Sequence, residues 1–64
     1  MRITKDYNPK TQVVTLTVHG NGVAAADAIP MKDILAIADR DFPAWWKARI
    51  AALTEQVRLK EAAL

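Results

Sequence analysis

His19, Gly20, Asn21 and Gly22 are the residues whose types and spacing come closest to chemistry in this sequence. An imidazole titrates near neutrality and can act as acid or base, and the backbone of a glycine-rich turn can receive an anion. Neither reading finds its supporting groups. A phosphate loop needs a helix opening directly behind it to present N–H donors, and the alanine-rich stretch after Gly22 has no helical period. Nucleophilic catalysis pairs a base with an activated hydroxyl or thiol, and both serine and cysteine are absent. His19 is therefore read as a strand-end histidine beside a turn.

Asp39 and Asp41 flank Arg40. Two carboxylates can share a divalent cation or divide acid and base roles, but a calcium loop needs further oxygen ligands and a glycine close by, and none follows. Asp41 is better placed as a helix N-cap ahead of Pro43. No catalytic residue, cofactor site or metal site is expected.

Trp45-Trp46 is the most informative pair. Adjacent helical residues point about 100° apart, so one buried surface cannot take both equally. Trp46 falls on a seam with Ile50, Leu53, Val57 and Leu64; Trp45 falls on a second row with Ala52 and Leu59. An aromatic ring beside Arg49 has the composition of an interaction hot spot. Phe42, Trp45, Arg49 and Leu59 are the residues expected to meet a protein partner.

The elements that must position these residues follow from periodicity. Residues 1–19 predict a β-hairpin: Val14, Leu16 and Val18 alternate with Val13, Thr15, Thr17 and His19, and Ile3, Lys5 and Tyr7 share a face before them. Asn8-Pro9-Lys10-Thr11 reads as the connecting turn, with Pro9 presetting φ. That register sets Tyr7 against Gln12, Lys5 against Val14 and Ile3 against Leu16. Residues 20–29 read as a connection. Pro30 opens a short helix over residues 30–40, with Met31, Ile34, Leu35 and Ala38 on one stripe. A second, amphipathic helix occupies residues 42–64. The order is β-β-α-α, a single α+β domain over residues 1–64.

At 64 residues such a chain is small, and domains of that size bury only about 60% of their unfolded surface. A two-stranded ribbon is marginal alone, and Gln12 to Val18 offers a pairing template. Completion by a homodimer is expected, with Val14, Leu16, Leu53, Val57 and Leu64 at the interface.

Net charge is +2, distributed as +2 over residues 1–22, −2 over 23–41 and +2 over 42–64. That is too mild for a dedicated phosphate-binding surface. No apolar run approaches a signal peptide or membrane span, so a cytoplasmic protein without membrane contact is expected. Together these readings describe a non-enzymatic interaction module, a small bacterial or phage accessory protein docking on a larger protein. The alternative is a nucleic-acid-binding regulator using the ribbon or the basic terminal helix.

Overall fold

The computed structural model describes all residues, 1–64. Three strands, β1 (Arg2–Asn8), β2 (Val13–His19) and β3 (Ala24–Pro30), are followed by a short helix α1 (Met31–Leu35) and a long helix α2 (Phe42–Ala62). The strands form one antiparallel sheet in the order β1-β2-β3. The class is α+β, as the alternating N-terminal pattern and the long terminal helix imply.

The hairpin forms with its loop one residue further along than the turn chemistry suggests. Asn8 faces Val13, Tyr7 faces Val14, Lys5 faces Leu16 and Ile3 faces Val18. Pro9 to Gln12 make the loop. Asn8 Oδ1 accepts from the N–H groups of Lys10 and Thr11 at 2.9 and 3.4 Å. Gln12 adopts a positive φ of 55°, and its N–H bonds to Asn8 O at 2.7 Å. The expected pairs Tyr7–Gln12, Lys5–Val14 and Ile3–Leu16 are thus each replaced by a partner two residues further on. Because the shift is even, the same residues keep the same face and the hydrophobic pattern is satisfied either way.

Residues 24–30 are not a connection but the third strand. Alanine has low β propensity and no polarity to mark a face, and Asp27 hides the alternation of Ala25, Asp27 and Ile29. In the sheet these three stand beneath α2, in register with Val18, Leu16 and Val14. β2 therefore lies at the centre with both edges paired, and its pairing template is filled from within the chain.

The first helix is five residues long rather than spanning 30–40. Ala36 caps it, Leu35 is 77% exposed, and single turns closed by Ile34 O and Ala38 O carry the chain to α2. Five residues barely exceed the costly nucleus of a helix. Asp41 occupies the N-cap position of α2, but its side chain makes no capping bond.

The core lies where α2 crosses β2 and β3. Leu16, Val18, Ala25, Leu53 and Val57 are buried together, with Val23, Trp46 and Ile50 packed around them. Val14 and Ile29 extend the buried layer. Alanines on the outer side of α2 dilute its polar contrast, so the helix is less amphipathic than its core seam alone suggests. A helix about 10 Å across covers roughly two strands spaced about 4.8 Å apart, and β1 is the strand left over: Ile3 and Tyr7 remain about half exposed on the helix-bearing face.

Gly20 sets how closely α2 approaches. A Cβ there would lie 2.5 Å from Val57 Cγ1 and 3.1 Å from Glu61 Cδ. The C-terminal half of α2 is held against the same turn, since Glu61 accepts the Asn21 N–H at 3.1 Å and Lys60 Nζ donates to Ala24 O at 2.7 Å.

Gly20→Ala is expected to cost about 2 kcal/mol through overpacking. Val57→Ala, which is itself costly because it empties the core, should cost less in the Gly20→Ala background than in wild type because the added methyl takes up part of the space. Gly22→Ala, at φ +72° with nothing near its Cβ, should cost about 1–2 kcal/mol, and its cost should simply add to that of Val57→Ala. Urea unfolding followed by circular dichroism distinguishes the two cases.

Candidate interaction surface

Lys5, Leu16 and Asp27 form one row across the helix-bearing face of the sheet. Leu16 is fully buried at the centre, and the two charged residues flank it on the outer strands. Each is engaged by α2. Lys5 Nζ lies 5.6 Å from the centroid of the Trp46 ring. Asp27 forms an ion pair with Arg49, whose guanidinium lies 5.2 Å from the Trp45 ring centroid. The helix is thus fixed sideways from both flanks as well as from below.

Phe42, Trp45 and Trp46 form an aromatic cluster at the N-terminal end of α2. Their ring centroids are 5.6–6.1 Å apart in pairs, within the range of favourable aromatic contact. All three are half-buried. Trp46 packs against the core, as the seam predicts. Trp45 is a boundary residue: one side leans on its aromatic neighbours and on Arg49, leaving the rest open.

The residues expected to meet a protein partner therefore divide. Phe42 and Trp45 are partly open, Leu59 is 63% exposed, and Arg49 is tied to Asp27 within the chain. The expected dimer residues divide more sharply. Val14, Leu16, Leu53 and Val57 are all buried inside one chain, because β3 supplies the covering surface that the sequence reading assigned to a second copy. Leu64, 84% exposed beyond the end of α2, is the one member that a second chain could reach. Sequence reasoning missed Lys5 and Asp27 as helix anchors; the i,i+4 spacing of Trp45 and Arg49 was the available clue.

The opposite face of the sheet carries no helix. It presents Arg2, Thr4 and Asp6, then Val13, Thr15, Thr17 and His19, then Ala24, Ala26 and Ala28. His19 Nε2 lies 3.1 Å from Thr4 Oγ1, which accounts for the histidine as a cross-strand partner. Asp39 and Asp41 are exposed, and no group of three or more His, Asp or Glu residues is placed to hold a metal ion. The surface has no pocket.

Most helix cations are already occupied. Arg49 pairs with Asp27, Lys60 with Ala24 O, and Arg58 with Glu55 at 2.9 Å. The hydrogen bonds from Arg58, and then its charge, hold the Glu55 carboxyl below the usual carboxylate range, and Glu55 raises Arg58 in return. A lowered folded-state pKa contributes stability above the ordinary Glu value, lost as pH falls through the lowered one. The pair is exposed and salt screens it. No helix is long and apolar enough to cross a membrane.

The chain matches no protein-family model, and neither a curated protein nor a solved structure is significantly similar to it.

Trp46→Ala should destabilise the fold by about 3 kcal/mol and Trp45→Ala by about 1 kcal/mol, since only the former opens the core. A double-mutant cycle of Asp27→Ala and Arg49→Ala should give a coupling of about 1 kcal/mol for this partly exposed pair, reduced in high salt. Urea titrations at low and high salt measure both.

Proposed function

We propose that the chain is a non-enzymatic protein-interaction module that docks on a larger protein through the outer flank of α2. The observation that carries this reading is the row Trp45, Ala52, Leu59, which lies along α2 outside the core. Ala52 is exposed, Leu59 is largely so, and Trp45 is held in place by Phe42 and Arg49 while keeping an open side. A rigidly held aromatic loses little side-chain entropy on binding, and Leu59, about 21 Å further along the same helix row, extends the apolar strip, which favours a protein partner. The absence of a concave site makes a small-molecule ligand a poor fit, because such ligands bury most of their surface in a cleft.

The alternative, a nucleic-acid-binding regulator, draws less support. Arg49, Arg58 and Lys60 are engaged within the chain, and the open sheet face balances Arg2 against Asp6.

A photo-crosslinking side chain introduced at Leu59 should capture one defined protein from the native host, whereas the same group at Lys10 should not. The purified partner should then bind the chain in titration calorimetry. Leu59→Asp should weaken that binding about tenfold or more while leaving the unfolding midpoint within about 0.5 kcal/mol of wild type. Unchanged affinity in Leu59→Asp, or retention on duplex DNA that falls steeply with salt, would overturn the proposal.

A further inference from the structure

β1 is an edge strand with an open hydrogen-bonding side. Gly20 N–H bonds to Val23 O and Met31 N–H to Gln12 O, so by antiparallel alternation the even-numbered residues of β2 face β3 and the odd-numbered ones face β1. In β1 the partners of Val13, Thr15, Thr17 and His19 are Asn8, Asp6, Thr4 and Arg2. The N–H and C=O groups of Ile3, Lys5 and Tyr7 therefore point away from the sheet. The side chains of these same residues stand on the helix-bearing face: Lys5 reaches Trp46 of α2, while Ile3, 46% exposed, and Tyr7, 49% exposed, lie beyond the helix, with Met1 beside them 73% exposed. An open ladder and an uncovered apolar strip thus coincide on one strand.

The other edge is less open. In β3 the outward groups are those of Ala24, Ala26, Ala28 and Pro30. Lys60 Nζ occupies Ala24 O at 2.7 Å, and Pro30 has no N–H to offer.

We infer that β1 pairs with β1 of a second copy, antiparallel and about a twofold axis, joining two three-stranded sheets into one continuous sheet of six strands. The occupant is identified by self-complementarity. Only residues of like parity can face each other across such a ladder, which leaves few registers. The register with Thr4 opposite the partner's Thr4 overlaps the whole strand. It sets Arg2 against the partner's Asp6, and Asp6 against the partner's Arg2, on the open face. On the helix-bearing face it sets Met1 against the partner's Tyr7 and Ile3 against the partner's Lys5. Moving the axis to Lys5 sets Lys5 against the partner's Lys5. Moving it to Asp6 sets Asp6 against the partner's Asp6. Moving it to Ile3 loses the Arg2–Asp6 pairs and shortens the overlap. Opposite charges directly across a ladder stabilise it and like charges destabilise it, so one register is selected. Both α2 helices then lie on the same side of the joined sheet, with Met1, Ile3 and Tyr7 of each copy filling the valley between them. This interface is independent of the docking row on α2, and it replaces one built on Leu16, Leu53 and Val57, which are buried within the chain.

Charge exchange tests the inference without touching the core, because Arg2 and Asp6 are both exposed. In sedimentation equilibrium from micromolar to millimolar concentration, wild type should associate to twice its 7.1 kDa mass. Arg2→Asp and Asp6→Arg, each alone, should weaken association about tenfold or more, since each sets like charges opposite one another twice. An equimolar mixture of the two variants restores both opposite-charge pairs and should associate as wild type does. Unfolding midpoints of the single variants, close to wild type, verify that the fold is intact. The register is read separately. The chain has no cysteine, and opposed residues in a non-hydrogen-bonded pair suit a disulfide, so Thr4→Cys should oxidise to a covalent dimer while Asp6→Cys stays monomeric. A wild type that remains a single chain at millimolar concentration, or a variant mixture that fails to recover, would overturn the inference. Preferential cross-linking through Asp6→Cys would overturn the register.

Discussion

One close approach governs this molecule: α2 must lie near enough to the sheet for Leu53 and Val57 to reach Leu16, Val18 and Ala25. Two small residues permit it. Ala25 leaves room beneath the helix, and Gly20 leaves room for Val57 at the turn where any Cβ would collide. With seven residues buried in the whole chain, no second cluster could replace this contact if it were lost. Apolar burial is worth about 1.5–3 kcal/mol per large side chain, so a core of this size leaves little reserve against the conformational entropy of folding.

The width of a helix then decides what remains outside. α2 covers β2 and β3 and leaves β1 bare on the same face. The row Lys5–Leu16–Asp27 records this geometry in charge: the apolar member lies under the helix, and the charged members stand at its two flanks. Arg49 and Trp46 reach outward from α2 to meet them. Asp27 would be costly on a core face without a partner. With Arg49 it becomes a lateral anchor, and Arg49 in turn steadies Trp45. The same contact that stabilises the fold thereby holds an aromatic ring at the boundary with solvent, which links packing to the proposed docking role.

Leu35 and Leu64 stand exposed singly, but the other open apolar side chains fall on two strips. Leu59 and Trp45 follow one row of α2, while Met1, Ile3 and Tyr7 follow one strand. The open sheet face, by contrast, carries threonines, alanines and a balanced pair of charges. These two apolar strips are distinct in direction and in the kind of contact they offer. One is a helix flank suited to side-chain docking. The other is a strand edge that adds backbone hydrogen bonds to apolar contact.

The residue pattern by itself determined the hairpin, the sharing of faces within it, the long terminal helix and the seam from Trp46 to Val57, because each repeats with a period that backbone geometry imposes. It also marked Trp45 and Leu59 as lying off that seam. It did not reveal β3, since alanine is indifferent to environment and Asp27 breaks the alternation until Arg49 is beside it. Nor did it reveal the early end of α1 or the positive φ of Gln12, which depend on the chain closing its loop and turning back over the sheet. Tertiary structure alone decided that Leu16, Leu53 and Val57 are covered by their own chain and that β1 is not. A third strand supplied the missing surface, and a single helix is too narrow to cover three.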